Sequence, residues 1–114
     1  MRRIVAICGS AAVAGLIFAG HANASDTGVA QALHDMQRYG GRTCLADHFH
    51  DGEGSGKSRG AAASAAVSAW AEFTSWEYGT SWGHYGLAAN KSMNCSQGGG
   101  SWSCHVSARP CRGY

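Results

Sequence analysis

The sequence predicts a small α+β domain in which one long alanine-rich helix packs on a short antiparallel sheet or hairpin, stapled by disulfides. Three observations support this prediction. Apolar residues recur at helical spacing over residues 58–78, and they alternate with polar residues on both sides of a glycine run near the C-terminus. Four cysteines remain once an export signal is set aside, which is typical of small secreted domains.

The first 24 residues have the parts of an export signal. Two arginines precede an apolar run over residues 4–20, and Ala22-Asn23-Ala24 is the small-residue pattern that a signal peptidase recognises. We expect cleavage after Ala24. Residues 25–114 would then form one exported domain, periplasmic or secreted, with no membrane anchor. A role as a component of the cell envelope fits this route.

The charge balance argues against nucleic-acid binding. The chain has nine Lys and Arg against seven Asp and Glu, and two of the arginines belong to the signal. The exported domain is therefore neutral and lacks the basic face on which nucleic-acid binding depends.

Glu72 and Glu77 are interpreted as part of the solvated face of the long helix, and no nucleophile motif is present. We therefore expect no enzymatic activity.

An N-terminal helical segment is predicted within residues 25–42, and we place its helix over residues 27–39. Four apolar residues there have helical spacing, namely Val29, Ala30, Leu33 and Met36. A pair of glycines at 40 and 41 ends the pattern, as glycine commonly does after a helix.

The core unit is predicted to span residues 43–111. It begins with a weakly alternating stretch over residues 43–50 that predicts a strand, and the glycine-rich stretch after it is interpreted as a flexible loop. Ser58 is a suitable N-cap for the long helix, and Gly79 a suitable stop. Because so many residues of this helix are alanine, we expect it to lie close against its support.

The C-terminal part predicts a hairpin of two strands, residues 91–96 and 101–108, with the glycine run at its turn. This hairpin places Cys95 nearly opposite Cys104 and favours a disulfide between them, which leaves Cys44 to pair with Cys111. A bridge between Cys104 and Cys111 across a six-residue loop is also feasible. A zinc site built from cysteines and histidines is the competing use of these side chains.

The pair His48-x-His50 is the sharpest functional signal. On an extended segment both imidazoles point to one face, and Asp51 and Glu53 follow closely enough to complete a nitrogen and oxygen ligand set. Such a set suits a divalent transition metal: zinc, copper or nickel. The alternative is that the two histidines are structural. A phosphate loop is excluded, since Asp51 stands where its first glycine would be.

The aromatic residues suggest a second function. Most are expected in the core, but an exposed subset would form a stacking surface for an envelope glycan or a protein partner. The four candidates lie in the last turn of the long helix and in the segment that follows it: Trp76, Tyr78, Trp82 and Tyr85.

Several local patterns between Cys44 and Cys111 resemble small exported bacterial proteins of uncharacterised function. The patterns are His48-x-His50 before a glycine- and serine-rich loop, Ser58-Arg59 with the alanine-rich run to Trp70, Tyr78-Gly79, Trp82, Cys95, Trp102-Ser103-Cys104 and Ala108-Arg109-Pro110-Cys111. The resemblance implies one compact exported unit and carries over no catalytic residue. The sequence therefore predicts a small exported binding or structural protein of unknown physiological role.

Overall fold

A computed structural model describes residues 26–113, so the predicted signal peptide and its cleavage site lie outside the described residues. The elements follow in the order α1 (Val29–Leu33), β1 (Met36–Tyr39), β2 (Arg42–Leu45), β3 (His50–Gly56), α2 (Arg59–Tyr78), two 3-10 turns (Thr80–Trp82 and Tyr85–Leu87), β4 (Ala89–Gly98), β5 (Ser101–Arg109) and β6 (Cys111–Gly113). The predicted α+β class is confirmed.

The alanine-rich segment forms the predicted long helix, α2. The Ser58 side chain accepts a hydrogen bond from the Ala61 N–H at 3.1 Å, which caps the first turn. Gly79 ends the helix with φ of 105°, a conformation that glycine adopts readily. Every fourth side chain from Ala62 to Tyr78 is buried, so one stripe of α2 faces the sheet.

The strands within residues 26–113 form two antiparallel sheets of three strands, where the sequence predicted a single short sheet. One has the order β3-β5-β4 and the other β1-β2-β6. The predicted hairpin is β4 and β5, and Gly99 and Gly100 both have positive φ at its two-residue turn. The second sheet was missed because its strands have only three or four residues each.

Both favoured disulfides are present. Cys95 bonds to Cys104 across the hairpin, and Cys44 of β2 bonds to Cys111 of β6. The alternative bridge between Cys104 and Cys111 is not formed, and no described cysteine belongs to a zinc site.

The predicted helix over residues 27–39 is wrong in its second half. Helix α1 ends at Leu33, and Met36–Tyr39 is a strand that pairs with β2, with Met36 opposite Leu45. The glycines at 40 and 41 turn this hairpin, and Gly40 has φ of 58°. Four apolar residues at helical spacing could not distinguish a helix from a short helix followed by a strand.

The prediction for the glycine-rich stretch is also wrong, because this stretch is strand β3 and not a flexible loop. It pairs with β5 in unbroken register from His50 opposite Ala108 to Gly56 opposite Trp102. A Cβ atom on Gly52 or Gly54 would lie closer than 3.0 Å to the backbone of α2 at Ala66. The glycines therefore let the helix and the strand approach closely, as the alanine content of α2 predicted. The predicted strand over residues 43–50 is divided, since β2 ends at Leu45 and β3 begins at His50.

The main core lies between α2 and the sheet β3-β5-β4. Trp70 fills its centre with Val106 and Ala108, and its indole N–H donates to the Ala108 carbonyl at 3.2 Å. A second cluster, which includes Leu45, Tyr78 and Trp82, packs under the C-terminal end of α2. This second cluster supports the polar site described next.

Candidate metal centre

Three segments converge at the C-terminal end of α2. His48 lies in the connection between β2 and β3, His50 is the first residue of β3, and Glu77 lies in the last turn of α2. One donor atom of each residue lies within 4.8 Å of the donor atoms of the other two. These segments meet because α2 is packed along β3, so the last turns of the helix lie over the first residues of the strand.

The two predicted histidines come together, but the two predicted carboxylates do not join them. Asp51 and Glu53 are exposed, while Gly52 between them faces α2, because side chains alternate along a strand. The Asp51 carboxylate contacts His105 Nε2 at 3.2 Å on the solvent face of the sheet. The site is therefore corrected to His48, His50 and Glu77.

Glu77 was expected on the solvated face of the helix. Its side chain is instead only 29% exposed, and its Oε2 lies 2.9 Å from His50 Nε2. Nothing in the local sequence distinguishes this glutamate from Glu72, which is exposed. The contact joins residues 27 positions apart and becomes apparent only when the packing of α2 on β3 is known.

The hydrogen bonds of His50 fix which ring nitrogen holds its proton. Its Nδ1 lies 2.9 Å from Thr74 Oγ1, and the Thr74 hydroxyl donates its own proton to the Trp70 carbonyl at 2.7 Å. The hydroxyl can therefore only accept from His50, so Nδ1 is the protonated nitrogen. In the neutral ring the lone pair is then on Nε2, which points at Glu77.

Burial keeps both imidazoles neutral at pH 7. It lowers the pKa of His50 from 6.5 to about 4, against the opposing effect of the Glu77 carboxylate. The pKa of His48 is also lowered, first by burial and then by the neighbouring His34. Neutral imidazole is the form that binds metal ions.

A third imidazole and a phenol extend the cluster. His34 stacks on His48 with ring centroids 4.3 Å apart, and its Nε2 is hydrogen-bonded to the Tyr78 hydroxyl at 2.9 Å. The Tyr78 ring is stacked on His50 at 5.0 Å, and burial raises its pKa to about 12. Tyr78 is thus a neutral phenol that holds two of the histidine rings in place.

The four predicted stacking aromatics do not share an exposed face. Tyr78 and Trp82 are fully buried, and the half-buried Tyr85 packs against Trp70. These rings fill the space beneath α2, because its small alanine side chains leave that volume open. Trp76 alone of the four is exposed, at 77%, beside Phe73.

Comparisons of the chain with protein-family models, with curated proteins and with solved structures found no match. Between residues 26 and 113, no helix has the length and apolar character needed to cross a membrane.

Proposed function

We propose that the protein binds a divalent transition-metal ion through His48, His50 and Glu77, and that it does so outside the cytoplasm. The observation that supports this best is the contact between His50 Nε2 and Glu77 Oε2. His50 is neutral at pH 7 and its Nδ1–H is already donated, so the contact brings two acceptor atoms to 2.9 Å. Two lone pairs at this distance repel each other unless a cation lies between them.

The surroundings of His50 make this contact informative. The side chain is 2% exposed, and among the described residues no donor hydrogen-bonds to its Nε2. A buried acceptor without a partner costs about 1–3 kcal/mol. A metal ion bound to both atoms would remove that cost, and His48 would provide a third ligand from the adjoining segment.

The donor set indicates the class of ion. Two imidazole nitrogens and one carboxylate oxygen suit zinc, copper or nickel and do not suit calcium or magnesium, which prefer oxygen ligands. Zinc bonds of about 2.0–2.2 Å bring ligand atoms to roughly 3.3–3.5 Å from one another. Donors within 4.8 Å therefore need only a small rotation of the His48 or Glu77 side chain.

The groups around the ligands support the same proposal. Metal-bound histidines usually donate their second N–H to an acceptor that fixes the ring, and Thr74 has this relation to His50. Two disulfides suit an oxidising compartment, where the cysteines do not compete for the metal.

The test measures metal binding by the purified exported chain after treatment with a chelator. We expect one zinc ion per chain by isothermal titration, and we expect His48→Ala and Glu77→Gln each to weaken zinc binding at least tenfold. The matched control is the double variant His84→Ala with His105→Ala, which removes two exposed histidines away from the site. Thermal unfolding without metal would show that each variant is folded.

Two outcomes would contradict the proposal. In the first, the His48 and Glu77 variants bind zinc as tightly as the unaltered chain. In the second, the His84 and His105 control loses the binding instead. In either case, a proton and not a metal ion would lie between His50 and Glu77.

A further inference from the structure

We propose that the free edge of β3 binds an extended segment of a partner protein, which adds to the sheet as a further strand and has basic side chains alternating with apolar ones. In the sheet β3-β5-β4, β3 pairs only with β5, so one of its edges is unpaired among residues 26–113. Unpaired backbone groups along a strand edge are a template for another strand.

The β3 edge lacks three features that commonly block such pairing, namely proline, lysine and a bulge. Its seven residues include no proline or lysine and have no bulge against β5. Strand β4, the opposite edge, has an irregular register between Ala89 and Ser92, with Lys91 inside it and Asn90 at positive φ. Bulges and lysines protect edge strands, so β3 is the edge available for pairing.

Helix α2 packs on one face of the sheet near the β3 edge, so an added strand would have one of its faces against the helix. It packs more extensively on β3 than on β5 and only slightly on β4, so the helix lies towards the β3 edge of the sheet. The inner flank contains Ala63 and Ala71, which pack against the main core. The outer flank contains Ala65, which Gly54 approaches, and the exposed Phe73 and Trp76. An added strand would place alternate side chains against this apolar flank.

Charge indicates the chemistry of the other side chains. Asp51 and Glu53 lie on the solvent face of β3 and are exposed, and within residues 26–113 the ion-pair partner of Asp51 is His105. Side chains directly across from each other on paired strands lie about 5 Å apart, and opposite charges there are favourable. The partner strand is therefore expected to place basic residues on this face.

A second copy of this chain does not fit the same edge. Paired strands lie about 4.8 Å apart, and antiparallel pairing would put both copies of α2 on the same face of the joined sheet. The glycines of β3 hold α2 directly over the strand, so the two helix axes would be nearly as close as the strands. Packed helices need about 8–10 Å, so the two copies would clash.

The probe is a peptide of four Lys-Val repeats with an acetylated N-terminus and an amidated C-terminus, titrated into isotope-labelled, metal-free protein. We expect the amide signals of residues 51–56 to shift and their hydrogen exchange to slow. The tryptophan fluorescence should also move to shorter wavelength as the exposed Trp76 is covered. A peptide of Glu-Val repeats should bind at least about tenfold more weakly. Because no metal is present, this result is independent of the metal-binding proposal.

Three variants locate the binding. Glu53→Lys should weaken binding of the Lys-Val peptide about tenfold and Trp76→Ala several-fold. Glu72→Lys is an equal charge change at an exposed residue of α2, on the opposite face of the sheet from the lysines of the peptide, and should leave binding within about twofold. Signals that shift on β4 would overturn the proposal, as would equal effects of the Glu53 and Glu72 variants, or no binding at all. So would concentration-dependent dimers that perturb the same β3 amides.

Discussion

At the scale of the residue, the candidate site depends on one contact that the sequence could not specify. The pair His48-x-His50 was predicted as two ligands because both lie in one extended segment, where alternation places them on the same face. The same alternation directs Asp51 and Glu53 away from them, and this could have been inferred from the sequence. Glu77 could not be found in this way, since its position depends on how α2 lies along β3.

The neutral state of His50 gives the stability of the metal-free protein a definite pH dependence. The pKa of His50 is near 6.5 in the unfolded chain and about 4 in the folded one, so between these values the unfolded chain binds more protons. Stability should therefore fall by on the order of 2 kcal/mol as the pH drops from 6.5 to 4. The groups that act on this histidine are Glu77 and Asp51, which oppose the shift, and His48 and His34, which add to it.

Urea unfolding at pH 7 and at pH 4.5 would measure this effect, with His50→Gln as the comparison, which should lose less stability over the same range. A loss of stability as the pH rises, instead of as it falls, would change the interpretation of the site. If His50 were a protonated partner of Glu77, its folded pKa would be raised, and stability would be lost as the pH rises through that value.

At the scale of the element, the sequence specified α2 and the hairpin well and β3 poorly. Helix α2 has consistent signals, with Ser58 as its cap, a regular buried stripe and Gly79 at its end. Strand β3 has glycine at every second residue, and glycine has low strand propensity, so local rules favour a loop. Its strand conformation comes from pairing with β5 and from close packing under α2, which are interactions between distant parts of the chain.

We predict that Gly54→Ala destabilises the fold by more than 2 kcal/mol. The added Cβ would overlap the backbone of α2 near Ala66, and a backbone cannot move aside as a flexible side chain can. The matched control is Gly98→Ala in β4, where nothing lies within 4 Å of an added Cβ, so we expect a change within about 0.5 kcal/mol. Urea unfolding measures both. Equal stabilities of the two variants would show that the glycines of β3 are not required for close packing.

At the scale of the whole molecule, the Cys44–Cys111 disulfide holds β2 to the one strand of the small sheet that continues directly from the main sheet. It joins β2 to β6, and β6 follows β5 after a single residue, Pro110. Strand β2 ends three residues before His48, whereas His50 and Glu77 belong to β3 and α2. The position of His48 relative to the other two ligands therefore depends on how firmly β2 is held.

The two disulfides should consequently differ in their effect on stability and on metal binding. Cys44–Cys111 spans 67 residues and Cys95–Cys104 spans 9, so loop entropy predicts that they contribute about 4 and about 2.5 kcal/mol. Replacing the Cys44–Cys111 pair with serines should lower stability more and weaken zinc binding several-fold, because His48 is no longer held beside His50. Replacing the Cys95–Cys104 pair serves as the control, since that bridge lies within one hairpin, away from the ligands. The zinc affinity of that variant should stay within about twofold of the unaltered chain.

Urea unfolding and zinc titration of the two variants measure these differences. Equal losses of zinc affinity in both would show that the site depends on overall stability and not on the bridge beside it. The expected result would make metal binding depend on oxidation of Cys44 and Cys111, and so connect the candidate site to the compartment in which disulfides form.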